Sequence, residues 1–226
     1  MAFEVLIDEA VRLAYPDYVG LVLVAEGVRN GPTDAGTDAL LADAEAALRA
    51  ARLERAADHP HIAAWRAAFS SFGAKPSHYP SSAEALMARV LKGQPLPRVN
   101  ALVDLYNAVS ARHALPLGGE DADRLAGALR LTIATGGEPF DPRGDGEDLE
   151  AVPVGEVVWR DDTGVTCRRW NWRQGRRTQL TESTTRAFFV FDRLDGLPLE
   201  DLHSAVDELS ALLLERWPAA AIAQAR

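Results

Sequence analysis

The stretch Arg98–Gly119, RVNALVDLYNAVSARHALPLGG, decides how the chain folds. Val99, Leu102, Val103, Tyr106 and Val109 recur at helical spacing, which predicts a helix whose apolar stripe lies against a core. Asn100, Asp104 and Asn107 follow one another at spacings of four and three and so share a face. Two readings of that polar face stand: the side chains converge on a ligand, or they cap turns and bond nearby backbone. The end of the stretch, LPLGG, reads as a loop whose two glycines permit close backbone approach or positive φ.

Working outward, Ser81 and Glu84 form a capping box for a helix running to Leu91, which Gly93 and Pro95 stop. Thr37–Arg55 carries Leu40, Leu41, Ala44, Leu48 and Ala51 on one side and predicts another helix, and Ile62–Phe69 a third. His59 and His61 flank Pro60. With no third ligand at a suitable spacing, they read as a surface turn rather than a metal pair. Phe3–Ile7 and Val19–Val28 read as strands.

Downstream, Leu129–Ala134 reads as a strand, followed by a turn-rich acidic connection, TGGEPFDPRGDGEDLE. Val154–Trp159 and Val165–Trp172 predict a hairpin about the turn Asp161–Gly164, a second turn near Gln174 and Gly175 returns the chain through Thr178–Thr181, and Ala187–Phe191 reads as one more strand. Leu202, Val206, Leu209, Leu213 and Trp217 mark a terminal helix over Leu199–Trp217. Helices dominate the first half and strands the second without βαβ alternation, so the expected class is α+β, in one domain over 1–226.

The formal net charge of −9 opposes indiscriminate binding to a polyanion, so any RNA contact must be local. The place for it is Arg168–Arg177, RRWNWRQGRR, with five arginines and two tryptophans. Strand alternation there sets Arg168, Trp170 and Trp172 on one face, where indoles stack bases, and Cys167, Arg169, Asn171 and Arg173 on the other. Arg176 and Arg177 extend the cationic patch. The alternative is that both tryptophans are buried and the arginines pair with acids. Cys167, the single cysteine, reads as a buried structural thiol. No apolar run reaches the roughly 20 residues of a membrane span and MAFEVLIDEAVR lacks a leader pattern, which predicts a cytoplasmic protein. There is no GxGxxG, P-loop lysine, HExxH or GxSxG, so neither a cofactor nor a covalent nucleophile is expected.

The segments SFGAKPSHYPSSAEALMARVLKGQPLPRVNALVDLYNAVSARHALPLGGED and GEVVWRDDTGVTCRRWNWRQGRRTQLTESTTRAFFVFDRL resemble the free-standing relatives of the tRNA-binding and editing module of the phenylalanyl-tRNA synthetase β subunit, its paired third and fourth B domains. The likeness runs over about 60–217. It implies tRNA or aminoacyl-tRNA as partner and, as one activity, hydrolysis of mischarged aminoacyl-tRNA in trans by an oriented water. A tRNA-binding module without hydrolysis and a binder of a free amino acid or small metabolite are the alternatives.

The synthetase's Thr-Asn pair falls on Val99 and Asn100, its histidine near Gly118, and the acid that reads a tyrosine hydroxyl near Phe191. A different and less polar amino acid is therefore expected. Positions that match the free-standing relatives are Asn100, Asp104, Asn107, Gly155, Glu156, Arg169, Trp170, Asn171, Trp172, Thr181 and Thr185. The resemblance implies that Asn100, Asn107 and Glu156 line the pocket and position ester and water. It makes Asp104, Gly118, Asn171, Thr181, Thr185 and Phe191 the substrate wall, and Arg168, Arg169, Trp170, Trp172, Arg173, Arg176 and Arg177 the RNA face.

Overall fold

A computed structural model describes residues 3–225, so Met1 and Ala2 of the N-terminal reading, and Arg226, lie outside the described residues. The helix expected in Arg98–Gly119 spans Ala101–His113. Asn100 stays extended ahead of it, and its side-chain oxygen accepts the Val103 N–H at 3.1 Å, satisfying one of the donors a helix start leaves open. The helix ends at Ala114, which is left-handed (φ 47°).

In chain order the helices are α1 (Glu9–Ala14), α2 (Ala35–Ala50), α3 (Pro60–Ser71), α4 (Ser82–Leu91), α5 (Ala101–His113) and α6 (Leu199–Arg216). The strands are β1 (Val5–Ile7), β2 (Val19–Glu26), β3 (Leu117–Asp121), β4 (Leu129–Ile133), β5 (Pro139–Phe140), β6 (Glu150–Ala151), β7 (Val157–Arg160), β8 (Val165–Arg168), β9 (Arg173–Gln174), β10 (Arg186–Arg193) and β11 (Ala221–Gln224). One sheet has the order β1-β4-β7-β8-β5-β6 with β9 paired to β8; the other has the order β11-β2-β10-β3.

Alternation along β10 assigns the layers. Ala187, Phe189 and Phe191 face a core shared with α5 and α6, while Phe188 and Val190 face a second core shared with Leu131, Val157 and Trp159 of the other sheet. The result is a single α+β domain in three layers, helices on sheet on sheet, with α2, α4 and part of α3 closing a third core against α5.

The structure corrects four local readings. Leu117, Gly118 and Gly119 of LPLGG are instead the first residues of edge strand β3, paired antiparallel to β10. A Cβ on Gly119 would come within 2.9 Å of the Phe189 ring, so only glycine lets the two strands pack there. The second arm of the hairpin ends at Arg168 rather than Trp172, because Arg169 (φ 46°) and Trp170 (φ 63°) are both left-handed and turn the chain out of the strand. His61 is fully buried, not on a surface turn: Nδ1 faces the Ala114 carbonyl at 2.9 Å, while Nε2 accepts the Trp65 indole N–H at 3.0 Å and the Leu194 N–H at 3.1 Å. Burial first holds the His61 pKa down at about 4, so the ring is neutral. Finally, α1 and β11 lie in segments that pattern left unassigned; at six and four residues they are too short for periodicity to register.

Candidate functional site

A cavity of about 320 Å³ opens where the two sheets part beneath α4 and α5, a size within the small-molecule range. Its floor is the inner face of β3 and β10, carrying Gly118, Glu120, Val190 and Asp192. A Cβ on Gly118 would meet nothing within 4 Å, so the missing side chain is itself part of the opening. Tyr106 and Asn107 of α5 and Ser82 of α4 line the helical side, and Trp159 and Cys167 the opposite sheet. The turn after β8 adds Trp170, Asn171 and Trp172.

That turn is fastened from behind. Gly155 (φ 85°) turns the chain so that Glu156 accepts Arg168 Nε and Nη2, each at 2.8 Å, together with the Arg169 N–H at 3.0 Å. Arg168 Nη1 also reaches Glu150 at 3.0 Å. The Arg169 guanidinium lies 3.8 Å from the Tyr79 ring centroid and 4.6 Å from that of Trp172. Trp170 is fully buried, its ring 4.8–5.0 Å from those of Tyr15, Tyr18 and Trp65.

Two carboxylates face the cavity. Asp192 Oδ1 accepts the Tyr18 hydroxyl at 2.6 Å and Oδ2 the Asn171 amide at 3.2 Å. Burial outweighs these bonds and pushes the Asp192 pKa up to about 6. Glu120 accepts the Thr178 hydroxyl, and burial pushes its pKa up to about 7. Cys167 and Tyr106 also open onto the cavity, and burial raises both of their pKa values. Among the described residues, seven buried side-chain nitrogen or oxygen atoms lack a hydrogen-bond partner. Four of them, Ser82 Oγ, Trp159 Nε1, Trp170 Nε1 and Asn171 Oδ1, belong to residues of this cavity, and the two indole nitrogens face Asp192 short of good hydrogen-bond geometry.

Of the residues expected at a site, Asn107, Gly118, Asn171, Trp170 and Trp172 come together here. Asn100 does not: besides capping α5, it accepts the Asn30 amide at 3.0 Å, because a residue at the N-cap turns back toward the helix start. Asp104 is a structural acceptor for Thr33 (2.6 Å), Thr37 (3.1 Å) and the Val99 N–H (2.9 Å). Glu156 is occupied by the two arginines, since a carboxylate so buried needs paired charge. Thr181 and Thr185 are exposed and line no part of the cavity. Phe191 points into the helical core on the other face of β10.

The expected RNA face is also reduced. Arg168 is buried against Glu156, Trp170 is interior, and Arg177 is held by Asp161 at 2.7 and 2.9 Å. Arg173 and Arg176 stay exposed, and Trp172 is half-buried. Sequence reasoning missed Asp192, Glu120, Trp159 and Tyr106 as cavity residues. Strand alternation held the signal for the acids: once Phe191 faces a core, Asp192 faces the opposite side, and Glu120 shares the face of Gly118.

The B3/4 domain family matches residues 64–215. No curated protein matches the chain. Among solved structures, an N-terminal fragment of the phenylalanyl-tRNA synthetase β subunit from Pyrococcus horikoshii shares the fold, with a TM-score of 0.53 at 14% identity over 98% of this chain and 50% of that one. The chain thus spans about half the length of that fragment.

Proposed function

From the premise that the chain belongs to the B3/4 domain family, a relative of the phenylalanyl-tRNA synthetase β subunit, we propose that it recognises the aminoacyl group of a charged tRNA. The amino acid occupies the cavity with its α-ammonium on Asp192. The observation that carries this reading is the gathering of buried polar groups around one cavity, with Ser82 Oγ and Asn171 Oδ1 left without a partner. Leaving such groups unpaired costs about 1–3 kcal/mol each, and a ligand that pairs them recovers that cost. An ammonium brings three donors. Asp192 and the open Asn171 Oδ1 are adjacent acceptors for it, and the Ser82 hydroxyl is a donor for a carbonyl.

Ala85, Leu86 and Pro97 line both the cavity and an adjoining groove that carries Arg89 and Lys92. These cations are the local counterpart for terminal phosphates in a chain whose net charge is −9. Ester cleavage at this site falls to a bound water: Ser82 Oγ has no base beside it, and burial raises the Cys167 pKa, away from the thiolate. A cytoplasmic location belongs to the same reading, because charged tRNA is used there.

Filter retention of charged against uncharged tRNA, with deacylation followed in the same samples, tests the proposal. Charged tRNA is expected to bind more tightly, with affinity falling as salt rises and in Lys92→Ala. Equal retention of both forms, or of neither, overturns it. The pairing of Arg168 and Arg177 with acids favours a second reading, in which the same cavity takes the free amino acid. In that case a free amino acid raises the melting temperature while tRNA does not.

A further inference from the structure

Resting on the amino-acid reading of this cavity, we infer that its ligand carries two cationic amino groups about five carbons apart, as a lysine-type amino acid or an α,ω-diamine does. The β3–β10 register sets Glu120 opposite Phe188 and Gly118 opposite Val190, and the Asp192 N–H bonds the Pro116 carbonyl. Glu120 and Asp192 therefore stand on one face of the sheet, at opposite ends of the cavity floor, with the bare Gly118 between them. Four residues along a strand separate their positions by roughly 13 Å. An extended five-carbon diamine spans about 7 Å between nitrogens, the reach of six backbone-like bonds. With a charge-assisted hydrogen bond of about 2.8 Å at each end, it fills that gap.

The Asp192 end has a neighbouring acceptor left open for a cation. Asn171 is only 8% exposed, and its unpartnered oxygen stands beside Asp192. At the other end the Thr166 and Thr178 hydroxyls both turn to Glu120 from behind the cavity wall and leave its carboxylate as the acceptor for the second charge. Arg177, the cation nearest Glu120, is committed to Asp161. Among the described residues lining the cavity there is no lysine, arginine or histidine, so these two carboxylates face no positive charge from the wall. Their pKa values, both pushed upward by burial, accord with that deficit of positive charge. Between the two acids, Trp159, Trp172 and Tyr106 offer ring surface to a methylene chain and to the ammonium groups that end it.

Calorimetry on the whole wild-type protein at pH 7.5 compares lysinamide with norleucinamide, and cadaverine with pentylamine; each pair matches in carbon chain and differs in one amino group. The two-cation member of each pair is expected to bind at least about tenfold more tightly, one charge-assisted bond's worth. In Glu120→Gln that preference is expected to disappear. If lysinamide and norleucinamide bind wild type equally, the two-cation inference falls and the amino-acid reading stands. If none of the four amines binds, the amino-acid reading falls and takes this one with it. Should Glu120→Gln fail to fold, the wild-type pairs decide alone, and 1,2-diaminoethane, too short to span the floor, is expected to gain nothing over ethylamine.

Discussion

The turn Arg169–Trp172 separates two buried polar regions that are finished to different degrees. Behind it, Glu156 meets Arg168 twice at 2.8 Å and the Arg169 backbone once, and Arg168 has Glu150 as a further partner. In front of it, a serine hydroxyl and the Asn171 oxygen have no partner, and two indole N–H groups face Asp192 without a well-formed bond. The first region contains the most conspicuous charge in the sequence and spends it on holding a strained turn. The second holds fewer and plainer groups and leaves them open. Satisfied polar networks fix structure; unsatisfied ones in a cavity are where a ligand gains free energy.

The largest effect that can break this contrast is Glu156→Gln. It leaves Arg168 as a buried charge without its carboxylate, at a cost of about 3–5 kcal/mol. At about 2–4 °C per kcal/mol for a domain of this size, the melting temperature is expected to fall by roughly 10 °C. A Glu156→Gln protein of wild-type stability whose amine affinity is lost would place Glu156 in the site and erase the distinction.

Asp192→Asn should do the reverse. Its affinity for an amine ligand is expected to fall by at least about tenfold, the loss of one charged hydrogen bond, in calorimetric titration. Stability does not fall, because the new amide oxygen still accepts from Tyr18 and its NH2 donates to Asn171 Oδ1 once the Asn171 amide turns over. The pH dependence carries the same sign. Asp192 and Glu120 are held above their ordinary values, so the folded protein binds their protons more tightly than the unfolded chain does. That contribution is complete below about pH 4 and is lost as pH rises through about 6 for Asp192 and about 7 for Glu120.

Tyr18, Asn171 and the two indoles surround Asp192, while Thr178, Thr166, Arg177, Asp161, Tyr106 and Cys167 surround Glu120. His61, held down at about 4, opposes these acids: its contribution is full above about pH 6.5 and is lost as pH falls to 4. Since His61 is common to both proteins, subtracting wild type from Glu120→Gln removes it. The variant's relative stability is expected to grow by on the order of 2–3 kcal/mol between pH 4.5 and 7.5. Denaturant titrations across that range measure it, and a flat difference would mean that Glu120 is not buried.

How much of this the sequence disclosed follows the physics of each signal. Helices α2, α4 and α6 announce themselves through stripes and caps that depend only on nearby residues: Asp34 caps α2 and Ser81 caps α4. Strand β3 does not, because the glycine that lets it pack against Phe189 is the same residue that marks a loop when read alone. That Asn107, Gly118 and Asn171 line one cavity was foreshadowed by the face of α5 for the first and by the family likeness for the other two. Asn100 and Glu156 misled because a cap and a buried ion pair use the same residue types as a binding pocket. The alternation rule failed at Arg169 and Trp170 because two consecutive left-handed residues cannot be read from side-chain pattern.

Smaller effects sharpen the contrast at the start of α5. Asn100→Ala removes the cap and is expected to cost about 1 kcal/mol of stability, read as a shift in denaturant midpoint at constant slope, with amine affinity unchanged.

The smallest effect belongs to Thr181 and Thr185, which sequence likeness set in the substrate wall. The Thr181 hydroxyl faces only Ser183 at 2.9 Å, and the roles that order this loop are played by backbone: the Thr185 carbonyl accepts the Gly27 and Val28 N–H groups at 3.0 and 3.2 Å. Neither backbone bond depends on a threonine side chain. The buried hydroxyl of the loop is that of Thr184, which donates to Asp121 at 2.7 Å and accepts the Thr181 N–H at 3.0 Å. Thr181→Ala and Thr185→Ala should therefore stay within about 0.5 kcal/mol of wild type in stability, as exposed substitutions do. Both should leave amine affinity where it was. Thr184→Ala, one residue away, strands the Asp121 carboxylate and should cost about 1–3 kcal/mol. A loss of amine binding in Thr181→Ala, with stability intact, would extend the site across the loop and show that the boundary between finished and open polar groups had been drawn too close to the cavity.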